Sequence, residues 1–330
     1  SDISFKLPIG VEIKFIIFNK YMKFSLTLIL FSLVIFSSCS SVPDKNNSKL
    51  KLQLNIQTSN KNKEKIIESL LKDDVIFSIN FNDENSYLME DDVLNSNLKY
   101  FCNSFIQDQR NILENNIFNT KKSENKKVLV IYSDSFKNIY FDLAKKYPEQ
   151  EYLFVNNSNY ESEIKKILNV DSSLDKYLYI SSIYQENEML HSPRIRNDIS
   201  SIYFLTDYEL GKTIVPIFRN YSLDINFYSS TEIFHEANDI KKLLDFESTY
   251  IPFNDKLIES IINKKTPLIK DEIERILIND FLVIEKIHQN NLFRKNIFPE
   301  SGNLKIQRSG CINRNLSLWK VSTSNYINQI

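Results

Sequence analysis

The sequence predicts an α/β fold in which parallel sheets are covered by helices on both faces. Short runs rich in β-branched and aromatic residues alternate along the chain with segments of helical periodicity. The connections between them are short, as in units where each helix crosses over to the next parallel strand. Residues 64–330 are enough for two such lobes or one large one.

The strands are predicted from short apolar runs, of which KVLVIYS at 127–133 is the clearest. The predicted strands are 75–80, which we expect to be buried, 127–133, 152–155, 201–205 and 225–228. The predicted helices are 86–118, 136–147, 160–168, 174–189, 208–221 and 270–289. Pro148 ends the second of these helices, because proline lacks an amide donor and disfavours helix before it. Two short strands at 302–306 and 312–318, around a Ser-Gly turn, predict a hairpin near the end.

The N-terminal part has the features of a lipoprotein signal peptide. Met22-Lys23 is followed by an apolar run at 24–36, and two serines precede Cys39. The run is shorter than the roughly 20 residues needed to span a bilayer, and lysines on its N-terminal side prevent its extension. We therefore expect a signal peptide at 22–38 and lipid on Cys39, with residues 1–21 absent from the mature protein because Met22 is a natural start. The alternative is a plain N-terminal membrane helix.

The residues after Cys39 indicate where the lipoprotein is sorted. Ser40 follows the cysteine where enteric lipoproteins kept at the inner membrane have aspartate, so we expect the periplasmic face of the outer membrane. Residues 39–63 are rich in Ser, Asn and Lys, which predicts a lipid anchor and flexible tether. The folded domain is then expected over 64–330.

Composition argues against several classes of function. The 41 basic and 42 acidic residues balance to a net charge of −1, so a nucleic-acid partner is not expected. Only 4 glycines are present, which makes a glycine-built phosphate loop untenable. His191, His235 and His288 lack metal-ligand spacing, and no serine lies in a nucleophile elbow. We expect no enzyme activity, no metal and no cofactor.

Two cysteines remain after lipidation. Cys102 and Cys311 could pair in an oxidising periplasm or remain as two buried thiols. The sequence leaves both alternatives open.

One polar cluster precedes the strand at 201–205. Arg194, Arg196 and Asp198 bring two guanidinium groups and a carboxylate to its start. An Arg–Asp pair there could fix a loop at the sheet edge. Alternatively, the guanidinium donors could form a surface for a partner or an anionic ligand.

From this cluster onward the sequence resembles the C-terminal domain of the LppC/LpoA lipoproteins. The matching segments keep their order over residues 125–320: 168–173, 193–199, 214–216, 226–231, 250–252, 279–281, 301–304 and 314–319. The resemblance implies a type I periplasmic-binding-protein fold, with two parallel α/β lobes around a cleft. It also implies an outer-membrane lipoprotein that binds and activates a class A penicillin-binding protein, a bifunctional peptidoglycan synthase. The alternative function is a solute-binding or sensing lipoprotein with a small polar ligand in the cleft.

The sequence departs from that family in three ways. Only the tether and about 60 residues precede Val128, where the family usually has a long helical-repeat domain. The first lobe therefore appears shortened in sequence, with no evident strand-helix unit before Val75. Asn169 stands where the family has a glycine. These differences put the reach across the periplasm and the closure of a cleft in question.

Overall fold

The computed structural model describes residues 4–6, 12–14, 51–72, 76–81, 85–119, 126–183, 193–221, 224–254, 268–292, 296–322 and 326–329. These residues belong to two compact units, Ser1–Lys49 and Leu50–Ile330. In the first unit, β1 (Ser4–Lys6) pairs antiparallel with β2 (Glu12–Lys14). The predicted signal peptide at 22–38 and Cys39 lie outside the described residues, so the lipid anchor stays a prediction.

The second unit begins with a small parallel sheet. Its elements are β3 (Lys51–Gln57), α1 (Asn60–Lys72), β4 (Ile76–Asn80) and β5 (Tyr87–Leu88). The central strand β3 runs parallel to β4 on one side and to β5 on the other. The small sheet has three strands within the described residues.

Three sequence expectations are corrected here. Residues 51–63, predicted as part of the tether, form β3 and the start of α1, because Leu52, Leu54 and Ile56 alternate with polar residues and are buried. The strand at 76–80 is present, but its residues are exposed or half-buried rather than buried. Residues 86–104 are not helical and include only the short strand β5.

The central part of the unit alternates strands and helices largely as predicted. Its helices are α2 (Phe105–Glu114), α3 (Lys137–Lys146), α4 (Tyr160–Ile167), α5 (Val170–Ile183) and α6 (Tyr208–Tyr221). Its strands are β6 (Lys127–Tyr132), β7 (Glu151–Phe154), β8 (Ile199–Leu205), β9 (Asn226–Ser229) and β10 (Thr249–Phe253). A π-helical turn at Asn115–Asn119 extends α2.

The C-terminal part adds one long helix and further strands. They are α7 (Ile269–Gln289), β11 (Asn296–Ile297), β12 (Asn303–Ile306), β13 (Ile312–Asn315), β14 (Ser317–Ser322) and β15 (Tyr326–Gln329). The predicted hairpin is β12–β13, and these strands form an antiparallel sheet with β11. None of the helices in the described part of the chain is both long and apolar enough to cross a bilayer.

A seven-stranded sheet is the largest element of the fold. Its order is β7-β6-β8-β9-β10-β14-β15. The first five strands are parallel, β14 is antiparallel to β10, and β15 is antiparallel to β14. Numbered along the chain, the parallel strands have the doubly wound order 2-1-3-4-5. The predicted α/β fold with parallel sheets is thereby confirmed.

Both faces of the large sheet are buried. Leu129, Ile131 and Phe204 belong to a hydrophobic cluster that continues through α7 into the small sheet. Val130 and Tyr203 face a second cluster beneath α2 and α3. The two parallel sheets therefore share one continuous apolar core.

A disulfide connects the segment before α2 to the β12–β13 hairpin. Cys102 and Cys311, separated by 209 positions in sequence, are bonded with their Cα atoms 5.1 Å apart. The amide of Cys102 also donates to Ile312 O (2.9 Å), and the amide of Ile312 donates to Tyr100 O (2.8 Å). Of the two alternatives that the sequence left open, the structure has the disulfide.

Candidate functional site

The strand order of the large sheet locates the position where α/β proteins usually bind ligands. In such sheets the ligand lies outside the carboxyl ends of the strands, where the order reverses. That point falls between β6 and β8, whose last paired residues are Tyr132 and Leu205. Ser133 and Thr206 follow directly, and both are buried.

The protein's own helix α2 closes the neighbouring part of this end of the sheet. Gln109, fully buried, donates from Nε2 to Pro252 O (2.6 Å) at the end of β10. Its Oε1 accepts from the amide (3.1 Å) and the hydroxyl (3.0 Å) of Thr231, just after β9. The guanidinium of Arg110 contacts both oxygens of Glu232 at 2.9 and 2.8 Å. Polar groups that would face a solute are thus bonded within the protein.

The first turn of α2 is held by a further buried ion pair. Arg314 Nη1 lies 3.1 Å from Asp108 Oδ2 and also donates to Asn103 O. The Arg314 guanidinium lies 3.9 Å from the centre of the Phe101 ring, a favourable cation–π distance. Burial raises the pKa of Asp108, and Arg314 opposes that shift. Asp108, Gln109 and Arg110 thus fix α2 to three different elements.

Two hydroxyl groups at the point where the strand order reverses are left unpaired. The side chains of Ser133 and Thr206 have no hydrogen-bond partner among the described residues. Buried hydroxyls normally have partners. They are the polar groups here that a small ligand could still engage.

The predicted Arg196 and Asp198 lie at the opposite, amino end of the large sheet. Arg196 donates to both oxygens of Asp198 (2.9 and 2.5 Å) and to both oxygens of Glu151 (2.7 and 2.6 Å). Lys127 adds an ion pair to Glu151 at 2.9 Å. These residues begin β6 and β7 or directly precede β8, so the network ties three adjacent strand starts. This geometry matches the loop-fixing account of the Arg–Asp pair.

Hydrogen bonding to Arg196 lowers the pKa of Glu151 and that of Asp198, because it stabilises both carboxylates. Both carboxylates are already engaged within the protein. They are therefore poor candidates for binding a cationic partner group, and Arg196 is a poor candidate for an anionic one.

Arg194 differs from its neighbours in the cluster. Its amide donates to Ser173 Oγ (2.9 Å), which fixes the loop against the start of α5. The residue itself is exposed, and no ion pair is found for its guanidinium among the described residues. Of the three predicted site residues, Arg194 is therefore the candidate for contact with a partner.

Helix α5, next to Arg194, exposes large apolar side chains. It packs against α4, and of its residues Val170 alone is buried. Five of its side chains are 41–70% exposed: Leu174, Leu178, Tyr179, Ile180 and Ile183. They are distributed around the helix, between polar residues such as Asp175 and Lys176. Several large apolar side chains exposed on one short helix are a candidate interaction surface.

The start of α5 also explains one departure from the LppC/LpoA pattern. Asn169, at the junction of α4 and α5, has a φ of +64°. Glycine adopts this left-handed conformation freely, and asparagine is one of the few other residues that tolerates it. The amide of Asn169 donates to Lys166 O (3.1 Å) and so caps α4. The substitution keeps the backbone geometry that a glycine would serve.

Metal binding finds no support in the part of the chain that the structure describes. No three His, Cys, Asp or Glu side chains come together there as potential ligands. His235 is largely buried and burial lowers its pKa. His288 stacks on Tyr100 with ring centres 4.9 Å apart, and His191 lies outside the described residues.

The sequence did not predict that α5 exposes apolar side chains, nor that α2 bonds to the carboxyl end of the large sheet. It predicted a helix at 174–189, whereas α5 begins at Val170 and residues 184–189 lie outside the described part. The signal for exposure was a helix with apolar residues on every side. The signal for closure was that the polar residues Asp108 and Gln109 lie beside the apolar Phe105, Ile106 and Leu113 in one amphipathic helix.

Comparisons with known proteins bear on the fold. No protein-family model matches the sequence, and no curated protein matches it significantly. Among solved structures, the chain is similar to a branched-chain amino acid ABC transporter protein from Rhodospirillum rubrum. That match has a TM-score of 0.51 and 10% identity and covers 86% of this chain and 100% of the other. It shows a type I periplasmic-binding-protein-like fold.

Two further matches are to LpoA from Haemophilus influenzae. One has a TM-score of 0.49 and 9% identity and covers 94% of this chain but 66% of that one. The other, to an LpoA C-domain described as a regulator of PBP1A, has a TM-score of 0.43 and 9% identity, covering 84% and 81%. TM-scores below 0.5 support no conclusion about function.

Proposed function

We propose that this chain is an outer-membrane lipoprotein, anchored through Cys39, that regulates peptidoglycan synthesis by binding and activating a class A penicillin-binding protein. It performs no chemistry of its own and requires no cofactor. The sequence resemblance to the LppC/LpoA lipoproteins over residues 125–320 supports this choice of partner. The Cys102–Cys311 disulfide supports export, since such bonds persist in oxidising compartments.

The closed carboxyl end of the large sheet favours this function over solute binding. A solute-binding lobe needs free polar groups at that end and a second lobe that closes over them. Here Gln109 and Arg110 bond to such groups, and the small sheet has three strands in the described part of the chain, on a core shared with the large sheet. A protein with a filled cleft acts through its outer surface.

The apolar surface of α5, with Arg194 beside it, is our candidate for the contact with the synthase. Interface centres are enriched in aromatic and aliphatic anchors and in arginine. Tyr179 is 70% exposed and Leu178 is 54% exposed. Each side chain is already partly buried in the free chain, so its burial by a partner would stabilise the complex by less than the roughly 1.5–3 kcal/mol of complete burial.

The direct test uses the full chain in detergent with a purified class A penicillin-binding protein from the same source. We expect complex formation in a pull-down and faster glycan-strand synthesis when the chain is added. The variant Leu178→Gln should weaken both, because it places a polar amide at the centre of the contact. If the wild-type chain neither binds the synthase nor changes its rate, the proposed function is wrong.

A matched control separates the interface from a general effect of surface polarity. Leu71→Gln, on α1, changes a leucine that is even more exposed (70%, against 54% for Leu178) and far from α5 in sequence. It should leave binding and stimulation unchanged. Equal losses in both variants would contradict the assignment of α5 as the contact surface.

The anchor is tested separately in cells. A labelled palmitate analogue should be incorporated into the wild-type chain, and Cys39→Ala should abolish the labelling. Label that persists in the variant would contradict lipidation at Cys39.

The alternative function, a solute-binding lipoprotein, is favoured by the unpaired hydroxyls of Ser133 and Thr206. If they bind a small polar ligand, a panel of amino acids and sugars should raise the thermal stability of the chain. The double variant Ser133→Ala, Thr206→Val should remove that shift. A regulator without a solute should show no shift in either form.

A further inference from the structure

The outer face of the β11–β12–β13 sheet carries a regular set of polar side chains. Register pairs Asn296 with Lys305 and Lys305 with Asn313, which places the three in one row across the sheet. Asn303 pairs with Asn315 in the next row. Because side chains alternate along a strand, the intervening Leu304 and Ile312 point the other way and are buried.

Sheet stability does not account for this face. Asparagine is depleted in strands because its short polar side chain packs poorly on a pleated surface. Four of the five outward positions are nevertheless asparagine. The inward leucine and isoleucines explain why the sheet forms, so the choice of outward residues needs another reason.

The face carries two shallow depressions. Two adjacent depressions, of about 650 and 500 Å³, share Lys305, Gln307 and Asn313 as lining residues. Each volume lies within the range of small-ligand sites, roughly 300–1,000 Å³. Together they form a trough that begins beside the Cys102–Cys311 disulfide and extends to Asn296.

The trough is positively charged. Lys305 and Arg308 line it, and neither has an ion-pair partner among the described residues. The described residues that line the two depressions include no aspartate or glutamate, although acidic and basic residues balance in the whole chain. The trough therefore suits an anionic ligand.

Two polar atoms of the trough lack partners among the described residues. They are the side-chain amide oxygens of Asn303 and Asn313, both buried. Unsatisfied buried polar atoms are rare and indicate a missing partner such as a ligand or ordered water.

The ligand class follows from these groups. Each side-chain amide offers a donor and an acceptor together, which matches the hydroxyl and acetamido groups of amino sugars. The two cations match carboxylates.

We propose that this trough binds peptidoglycan strands, that is, an acidic amino-sugar polymer with carboxylate-bearing peptide stems. The inference rests on the proposed function, to which it adds that the regulator holds the product of the synthase it activates. The trough and α5 are different surfaces, so the two activities can be separated by substitution.

The test is co-sedimentation of the full chain with purified, insoluble peptidoglycan. We expect the wild-type chain to pellet with the polymer. Lys305→Glu reverses the central charge at an exposed position and should weaken binding at least tenfold. Asn313→Asp adds a negative charge without a change of shape and should have a similar effect. The control Lys242→Glu makes the same charge change at an exposed lysine outside the trough and should bind within twofold of wild type.

The outcomes distinguish this inference from the proposed function. Synthase stimulation is measured with the same variants, and we expect Lys305→Glu to retain synthase binding. If the wild-type chain does not pellet, or if both trough variants pellet as wild type does, the trough is not a glycan site, whatever the synthase assay gives. If Lys242→Glu lost pelleting to the same extent, the proposal would also be overturned. The loss would then follow from the change in the net charge of the chain and not from the trough.

Discussion

Polar and charged side chains fix both ends of the large sheet, but the two sets of side chains differ in burial. At the carboxyl end, Gln109 and the Arg110–Glu232 pair are wholly or largely buried. At the amino end, Arg196 and Asp198 are part of a network in which their side chains are 25% and 44% exposed. Both sets of groups fix neighbouring segments, but those at the carboxyl end are the more buried.

The difference in burial predicts a difference in energy. A group that loses its partner in water regains hydrogen bonds with solvent, whereas a buried group does not. Loss of a partner should therefore cost several times more at the carboxyl end. The buried network should also tolerate fewer substitutions, since each of its members requires a hydrogen-bond partner.

The largest effect is expected for Gln109→Leu. The variant keeps the volume but leaves Pro252 O and both donors of Thr231 buried without partners. With about 1–3 kcal/mol for each unsatisfied group, the free energy of unfolding should fall by about 3–5 kcal/mol in chemical denaturation. The control Gln107→Leu, on the exposed side of the same helix, should change it by less than about 0.5 kcal/mol. Equal losses would mean that leucine destabilises α2 at either position. They would not support a specific role of Gln109 in fixing α2 to the carboxyl end of the sheet.

The second prediction concerns the buried carboxyl group of Asp280. Asp280, on α7, is fully buried, and its Oδ1 accepts from the Ser301 amide while Oδ2 has no partner among the described residues. Burial raises the pKa of Asp280 to about 7. The unfolded value is ordinary, about 4. The folded protein therefore holds an extra proton between these two values.

An extra proton in the folded state makes stability fall as pH rises. The contribution of Asp280 is complete below about pH 4 and is lost between about pH 4 and 7. Asp280→Asn keeps the shape and needs no proton, so its unfolding free energy should exceed that of wild type by about 2–4 kcal/mol at pH 8. At pH 4 the two should agree. The exposed Asp142→Asn serves as the control, and a wild-type stability curve with no decline from pH 4 to 7 would contradict the prediction.

A smaller effect is expected at the amino end. Arg196→Ala removes four hydrogen bonds to Glu151 and Asp198, but both carboxylates reach water, so the loss should be about 1 kcal/mol. The sign of the pH dependence is opposite to that of Asp280. Arg196 lowers the pKa values of both carboxylates, so its contribution is present at neutral pH and disappears as acid protonates them. Thermal unfolding at pH 7 and in strong acid checks this, and a loss of 3 kcal/mol or more would mean that the two ends are equivalent.

Much of the large sheet could be predicted from sequence, because each element there has a local signal. KVLVIYS forms β6, and the helix predicted at 208–221 has the observed bounds of α6. The small sheet was harder to predict, since the alternating pattern of β3 lies within a polar composition that suggested a tether. At 86–104 the residues Leu94, Leu98 and Phe101 are buried. Their backbone, however, is fixed by Ile312 and the disulfide rather than by helical hydrogen bonds.

The candidate surfaces could be predicted only in part. Arg196 and Asp198 were found as a pair, but Glu151 lies 45 positions away from Arg196 in sequence, so the network was invisible. The closure by Gln109 depends on Pro252, 143 positions away. Sequence spacing gives local contacts, whereas burial of a particular polar group depends on the packing of distant segments.

The smallest effect on stability is expected for Arg194→Ala, in the same loop as Arg196. Because the Arg194 side chain is exposed and has no ion pair among the described residues, its removal should change the free energy of unfolding by less than about 0.5 kcal/mol. Binding to the synthase should weaken, since arginine beside an apolar surface often contributes to interfaces. Arg196→Ala should show the reverse, a loss of stability with binding retained at temperatures where it is folded. If Arg194→Ala instead destabilises the chain as Arg196→Ala does, Arg194 belongs to the structural network and the partner surface is reduced to α5 alone.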